Sequence, residues 1–475
     1  MEDTQNHIPP VNTRRRKRTK LDDFKESYLP VIIAAATLIF IIFTIVGASV
    51  NHTQREAKLS QLRKEEEIAE QLKKDALIEE ATKLLATAED YANNYYFDKA
   101  IETLQSFSGE IPEFPQLYST LQGYYFTKAN LVEWNDPTEV LNLSFHVLIA
   151  DPIRAFSDSK YGSAYNRNFV TTDEFRLILE QLYANDYVLV DVDDIISETN
   201  DDGTQSFTAK KLYLPEGKKP LILTQTHVNY YIYMTDGDDA DTLPDKDGAG
   251  FASKLIIDES GNLLNEMVDK DGNTVIGEYD LIPILNSFIK THPDFSYQGA
   301  RAIIAVTGSE GVFGYRTNPG AKSVFGSAYD QEIEGAKQVA QALRDSGYTI
   351  ACYTYDNKAY GEIGIATLQD ELSKWKEEVV PIIGQTDIMV FAQESDITKN
   401  TPYSGEKYNA LMDAGFRYYF GFCKNGQKWS TVETNYFRQA RILVTGSNLK
   451  YNGPWFNDIL TPVEILSSLR GTIPQ

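Results

Sequence analysis

Residues 220–231 read PLILTQTHVNYY. Leu221, Ile222 and Leu223 form a short unbroken apolar run, which predicts a strand buried on both faces. The run ends in a polar knot of Thr224, Gln225, Thr226 and His227, and Tyr230, Tyr231 and Tyr233 follow at once. In α/β folds, ligands are met at the C-terminal ends of buried parallel strands. The knot is therefore where a site is expected.

The same texture repeats outward from this strand. Further strand-like runs fall at 145–149, 187–190, 302–306, 349–353, 388–391 and 418–422. Amphipathic helices lie between them, notably 331–344 and 368–379. Thr171 or Thr172 caps another helix, whose buried face is read as Phe175, Leu177, Ile178, Leu179 and Leu182. Such alternation predicts an α/β fold, a mostly parallel sheet or barrel with outer helices. An acidic insertion interrupts it at about 234–280. Its turns at 258–262 and 269–273 predict a β-ribbon. Asp236, Asp238, Asp239 and Asp241 could suggest calcium, but their order with glycine fits no EF-hand loop. Ordinary Asp-Gly turns explain them better.

The first part of the chain has a different character. Arg14, Arg15, Arg16, Lys17, Arg18 and Lys20 form a basic cluster within residues 1–28. An uncharged apolar run follows over 29–50, long enough to span a bilayer. A cleaved signal peptide is the competing reading, and the length of the run favours a retained anchor. The positive-inside rule then puts the basic tail in the cytoplasm and the rest outside the cell. Residues 51–135 read as a helical stalk and a hairpin. A heptad seam through Leu62, Ala69 and Ala76 is broken by Glu66 and Lys73, which argues against a stable coiled coil. Tyr95, Phe97, Ala100, Ile101 and Leu104 resemble one tetratricopeptide-type unit, which must lean on neighbours. The net charge of -23 excludes nucleic acid as a partner. The two cysteines, Cys352 and Cys423, are read as free buried thiols, one bridge being the alternative.

From about Asn142 to Gly453 the chain resembles the polysaccharide deacetylases, the family of chitin and peptidoglycan deacetylases. FHVLIADP with VTTDEFRLILEQLYANDYVLVDVDDI is similar to the opening strand and helix of that family, and KKPLILTQTHVNYY stands where its members carry T-F-D-D or S-F-D-D. GARAIIAVTG, AKQVAQALRDSGY with TIACYTYDN, and LQDELSKWKEEVVPIIGQTDIMVFAQESDI follow in the family's order. The resemblance implies a distorted (β/α) barrel over 142–475, preceded by the membrane helix and stalk, with its site at the strand C-termini.

The family's chemistry uses a divalent metal such as zinc, held by an aspartate and two histidines, with a second aspartate as base. Here the base position is Thr226 and the metal-aspartate position is His227. The two histidine positions fall on Tyr353 and Asn357, and the P-F-G turn on Ala392, Gln393 and Glu394. The chain has five histidines, and none lies near Tyr353. No metal cofactor is therefore expected. A rebuilt zinc site from His146, His227 and either Glu310 or Glu394 is the sharper alternative. A Ser309 nucleophile lacks the G-x-S-x-G setting, and Cys352 has no histidine beside it in sequence. The expected site is a glycan groove with Tyr230, Tyr231 and Tyr353 at its mouth, and His146, Thr226, His227 and Asn357 as hydrogen-bonding groups. Plain core packing is the competing reading of the tyrosines. The expected partners are the cell membrane and cell-wall polysaccharide or peptidoglycan. An active N-deacetylase, or a scaffold recruiting an envelope protein, are the alternatives.

Overall fold

The computed structural model describes residues 20–158, 160–201, 204–235, 248–399 and 401–475. Asp236, Asp238, Asp239 and Asp241 lie outside these, as does the basic cluster before Lys20. The chain divides into two units, Met1–Lys83 and Leu84–Gln475. In the first, helix α1 (Leu29–Asn93) begins with the apolar run and continues through the charged stretch. It is the one helix among the described residues long and apolar enough to cross a membrane.

The second unit begins within the end of α1 and continues with two short helices, α2 (Phe97–Gln105) and α3 (Pro115–Ala129). They bury Ala100, Ile101 and Leu104 against Leu117 and Leu121. One such pair cannot cover its own face, and here it leans on the α/β body. The Tyr95 hydroxyl donates to the Asp294 carbonyl at 2.6 Å, and its ring packs on Tyr297 at 5.4 Å.

Eight parallel strands form the body: β1 (Leu141–Phe145), β2 (Tyr187–Leu189), β3 (Lys219–Thr226), β4 (Ile303–Val306), β5 (Thr349–Cys352), β6 (Ile388–Val390), β7 (Tyr418–Phe422) and β8 (Tyr436–Leu443), and a ninth, Ser430–Glu433, pairs antiparallel with β8. Seven of them close a parallel ring in the order β1-β3-β4-β5-β6-β7-β8-β1. The remaining parallel strand, β2, shares one edge of β3 with β4. It pairs along Lys219, Pro220 and Leu221, whereas β4 pairs along Thr224, Gln225 and Thr226. The barrel thus gains a strand at its lower end and is distorted, as expected. The insertion folds as a three-stranded antiparallel ribbon, Lys254–Ile257, Leu263–Val268 and Thr274–Gly277.

Side chains alternate between the barrel interior and the outer helices. Ile222, Ile303, Ala305, Ala351, Val390, Phe420 and Phe437 fill the lower interior. Leu221, Leu223, Ile304 and Val306 face outward into the larger core. The apolar filling gives way upward to Asn142, Thr224 and Gln439, which bond one another at 3.1 and 3.2 Å. Both cysteines are free and buried.

Some boundaries differ from the sequence expectation. The first strand ends at Phe145, four residues before Ile149, because Asp280 captures the Leu148 N–H at 2.9 Å and takes the chain off the sheet. Leu177 is 44% exposed and faces outward, so the buried face of helix α4 (Thr172–Ala184) lacks it. Thr171 is the cap of α4, in a capping box with Glu174.

Glu174 also closes the C-terminal tail. Its carboxylate takes Arg470 Nε at 2.6 Å and Nη2 at 2.5 Å, with both side chains about 1% exposed. Removing one partner of a buried pair leaves the other charge uncompensated. Glu174→Gln should cost ~3–5 kcal/mol in denaturant unfolding of the full chain. A Glu174→Met, Arg470→Met double variant should lose less than the two single changes together.

Candidate functional site

Four loops and strand ends meet where β1, β3, β5 and β8 finish. His146 follows β1, Thr226 ends β3, Tyr353 follows β5 and Arg441 lies near the end of β8. His227 adopts φ 62° and so turns the chain sharply out of β3. This turn puts its ring among three others. The centroid separations are 4.9 Å to His146, 4.8 Å to Tyr353 and 5.6 Å to Tyr231.

His146 Nδ1 lies 2.7 Å from Thr226 Oγ1, and the Thr226 hydroxyl donates to the Phe145 carbonyl at 3.2 Å. His227 Nδ1 is 3.4 Å from the Tyr231 hydroxyl, which meets Thr307 Oγ1 at 2.7 Å. Beneath them lies Arg441, fully buried. It donates to Ser144 Oγ at 2.9 Å and to the Phe391 carbonyl, and its Nε has no partner. No carboxylate among the described residues forms an ion pair with it, although Glu394 contributes a weaker field. Its guanidinium also lies 5.7 Å from the centroid of the Tyr353 ring.

His146, His227, Tyr353 and Asn357 line a cavity of about 660 Å³, with further walls from Tyr161, Tyr165, Phe169 and Tyr233. A second cavity of about 760 Å³ adjoins it around Trp429, Asp396 and Arg438, and the two share Glu362, Glu394, Phe422 and Lys424. They form one groove across the strand ends.

Two expected mouth residues are placed elsewhere. Tyr230 is wholly buried, and its hydroxyl donates to Asp280 Oδ2 at 2.7 Å beneath the ribbon. Its φ of 49° turns the side chain away from the cavity and into the core. Tyr231 is 6% exposed and backs His227 without lining the groove. Tyr353 is on the wall but only 3% exposed. The sequence reading missed Arg441, Phe422 and Trp429, and it noted Tyr233 after the knot without assigning it to the groove. Only the closure of β8 against β1 brings Arg441 to the site, and a lone arginine in an unrecognised strand gave no local signal.

The residues present do not fit a divalent metal. Glu310 is occupied elsewhere: it accepts from the Ile232 N–H at 2.7 Å and faces Arg316. No group of three His, Cys, Asp or Glu side chains among the described residues could hold an ion. A guanidinium stays charged when buried, so the floor already carries a fixed positive charge. Burial, the neighbouring His227 and Arg441 hold the His146 pKa well below the ordinary histidine value. Burial and Arg441 bring His227 down to about 3. Burial raises the pKa of the Tyr353 hydroxyl, with the charge of Arg441 opposing.

No protein-family model matches the chain, and no curated protein matches it. Among solved structures, a Streptococcus pyogenes deacetylase, PplD in complex with acetate, is similar at 12% identity. The match covers 66% of this chain and 98% of that one, with a TM-score of 0.33. The barrel assignment rests on the strand pairing itself.

The depressed imidazoles give a pH signature. As pH falls below about 6.5 the unfolded chain binds protons first, so folded stability is lost toward the His227 value of about 3. Asp280, pushed up to about 6 by burial, gives the opposite slope over part of that window. The comparison of wild type with His227→Gln isolates the imidazole. The variant should lose less stability on acidification, by up to about 1.4 kcal/mol per pH unit, in urea unfolding followed between roughly pH 7 and 4.

Proposed function

We propose that the chain is a membrane-anchored, extracytoplasmic protein whose deacetylase-like barrel binds cell-envelope glycan and performs no metal-dependent deacetylation. The observation that carries this reading is Arg441. A fixed cation lies among the positions where the resembling family would assemble its metal, and two neutral imidazoles face the groove above it. A site of this kind binds through neutral donors, acceptors and ring faces. Tyr161, Tyr233, Phe422 and Trp429 supply the faces. Cell-wall polysaccharide or peptidoglycan is the partner that such a groove suits on an external protein.

Purified full-length protein should contain no stoichiometric metal, and should release no acetate from N-acetylated chitin oligomers or peptidoglycan. It should bind insoluble cell-wall glycan, and Trp429→Ala with His227→Ala should weaken that binding. Metal-dependent acetate release would establish an active N-deacetylase instead. Equal binding by both proteins, or none by either, would favour a scaffold for an envelope protein. That second reading has its own support in the exposed ring face of α3, where Tyr118, Tyr125 and Phe126 are 47%, 40% and 71% exposed.

The proposed orientation is tested separately. The apolar start of α1 carries its basic flank on the N-terminal side, which favours a cytoplasmic N-terminus. Protease added to intact cells should remove a C-terminal tag and spare an N-terminal one, as read by immunoblot.

A further inference from the structure

The hydrogen bonds beneath the groove run in one direction, and that direction fixes a proton. The Thr226 hydroxyl touches two groups, the Phe145 carbonyl at 3.2 Å and His146 Nδ1 at 2.7 Å. A carbonyl can only accept, so both contacts are hydrogen bonds only when the Thr226 proton goes to Phe145. A hydroxyl has one proton, so Thr226 meets His146 Nδ1, 2.7 Å away, with a lone pair. His146 must then carry its proton on Nδ1. Its Nε2 is left bare, and no protein group among the described residues meets it. The ring lines the cavity and is partly exposed to it.

We propose that His146 Nε2 is a fixed, unprotonated acceptor that reads the ligand, and that the groove takes a neutral glycan through a hydroxyl or amide N–H donated to this nitrogen. The proposal rests on the glycan reading above and deepens it. A carboxylate or phosphate oxygen set against the same nitrogen would oppose lone pair to lone pair. Acidic sugars are therefore disfavoured here, although Arg441 lies below. Arg441 makes no contact with a ligand in the groove, because its side chain is fully buried and lines neither cavity.

The relay also assigns Thr226 a role. It is a positioning residue: it holds the imidazole in one tautomer and touches no ligand. Thr226→Val keeps the shape of the side chain and removes both the acceptor and the donor. The imidazole is then free to move its proton to Nε2, which turns an acceptor into a donor.

Magic-angle-spinning NMR of the full chain, labelled with 15N-histidine and reconstituted in lipid bilayers, reads the tautomer directly. The His146 signals are identified by their loss in His146→Gln. At neutral pH they should show a protonated Nδ1 and a bare Nε2, with Nε2 shifting when N-acetylglucosamine oligomers are added. Thr226→Val should populate the other tautomer and weaken binding of those oligomers about tenfold, the worth of roughly one hydrogen bond. Oligogalacturonate, an acidic chain, should bind more weakly than the neutral oligomer. A wild-type His146 protonated on Nε2, or on both nitrogens, overturns the relay without recourse to any variant. The expected tautomer with tighter binding of the acidic chain overturns the ligand class alone. The expected tautomer with no binding of either glycan overturns the glycan reading and this proposal with it.

Discussion

A guanidinium buried inside a barrel must be provided with acceptors, and the upper half of this molecule is arranged around that need. Arg441 finds Ser144 on β1 and the Phe391 carbonyl after β6, and its guanidinium lies 5.7 Å from the Tyr353 ring centroid after β5. One side chain thus ties two strand ends of the ring to β8. Neutral hydrogen-bond acceptors compensate a buried charge less completely than a carboxylate does. The remainder falls on the surroundings: the two imidazoles above stay neutral. The polarity of the site is consequently set from below, by a residue that no ligand touches.

Asp280 plays a corresponding part beside the site. Its carboxylate collects the Leu148 and Leu281 N–H groups, the Gln225 amide and the Tyr230 hydroxyl. These bonds come from the loop after β1, the end of β3, the turn that follows it and the start of helix Leu281–Thr291. The arrangement stops β1 early and commits Tyr230 to the core. The side chains left for the groove are those the turn at His227 releases.

The strand-and-helix alternation was legible because buried parallel strands read as apolar runs and α4 carries a complete capping box. The residues around the site were less legible. The run from Phe145 to Ile149 is apolar apart from His146, and nothing local shows that Leu148 bonds a side chain far along the chain. β8, YFRQARIL, carries Gln439 and Arg441 on its inward face, so it lacks the apolar pattern by which a strand is recognised. Tyr230 and Tyr231 stand next to His227 in sequence, yet two left-handed residues, His227 and Tyr230, separate their directions. Neighbourhood in sequence was a poor guide here because those turns depend on contacts from distant segments.

The clasp between Glu174 and Arg470 bears on biogenesis. The two residues are separated by 296 positions. The carboxylate is synthesised early, in helix α4, and its counter-charge arrives only when the polypeptide has been made as far as Arg470. Until then α4 cannot settle into its buried position without an unneutralised acid. Docking of the C-terminal tail is therefore coupled to completion of the chain, and a ribosome-bound intermediate would keep this seam open to chaperones and proteases.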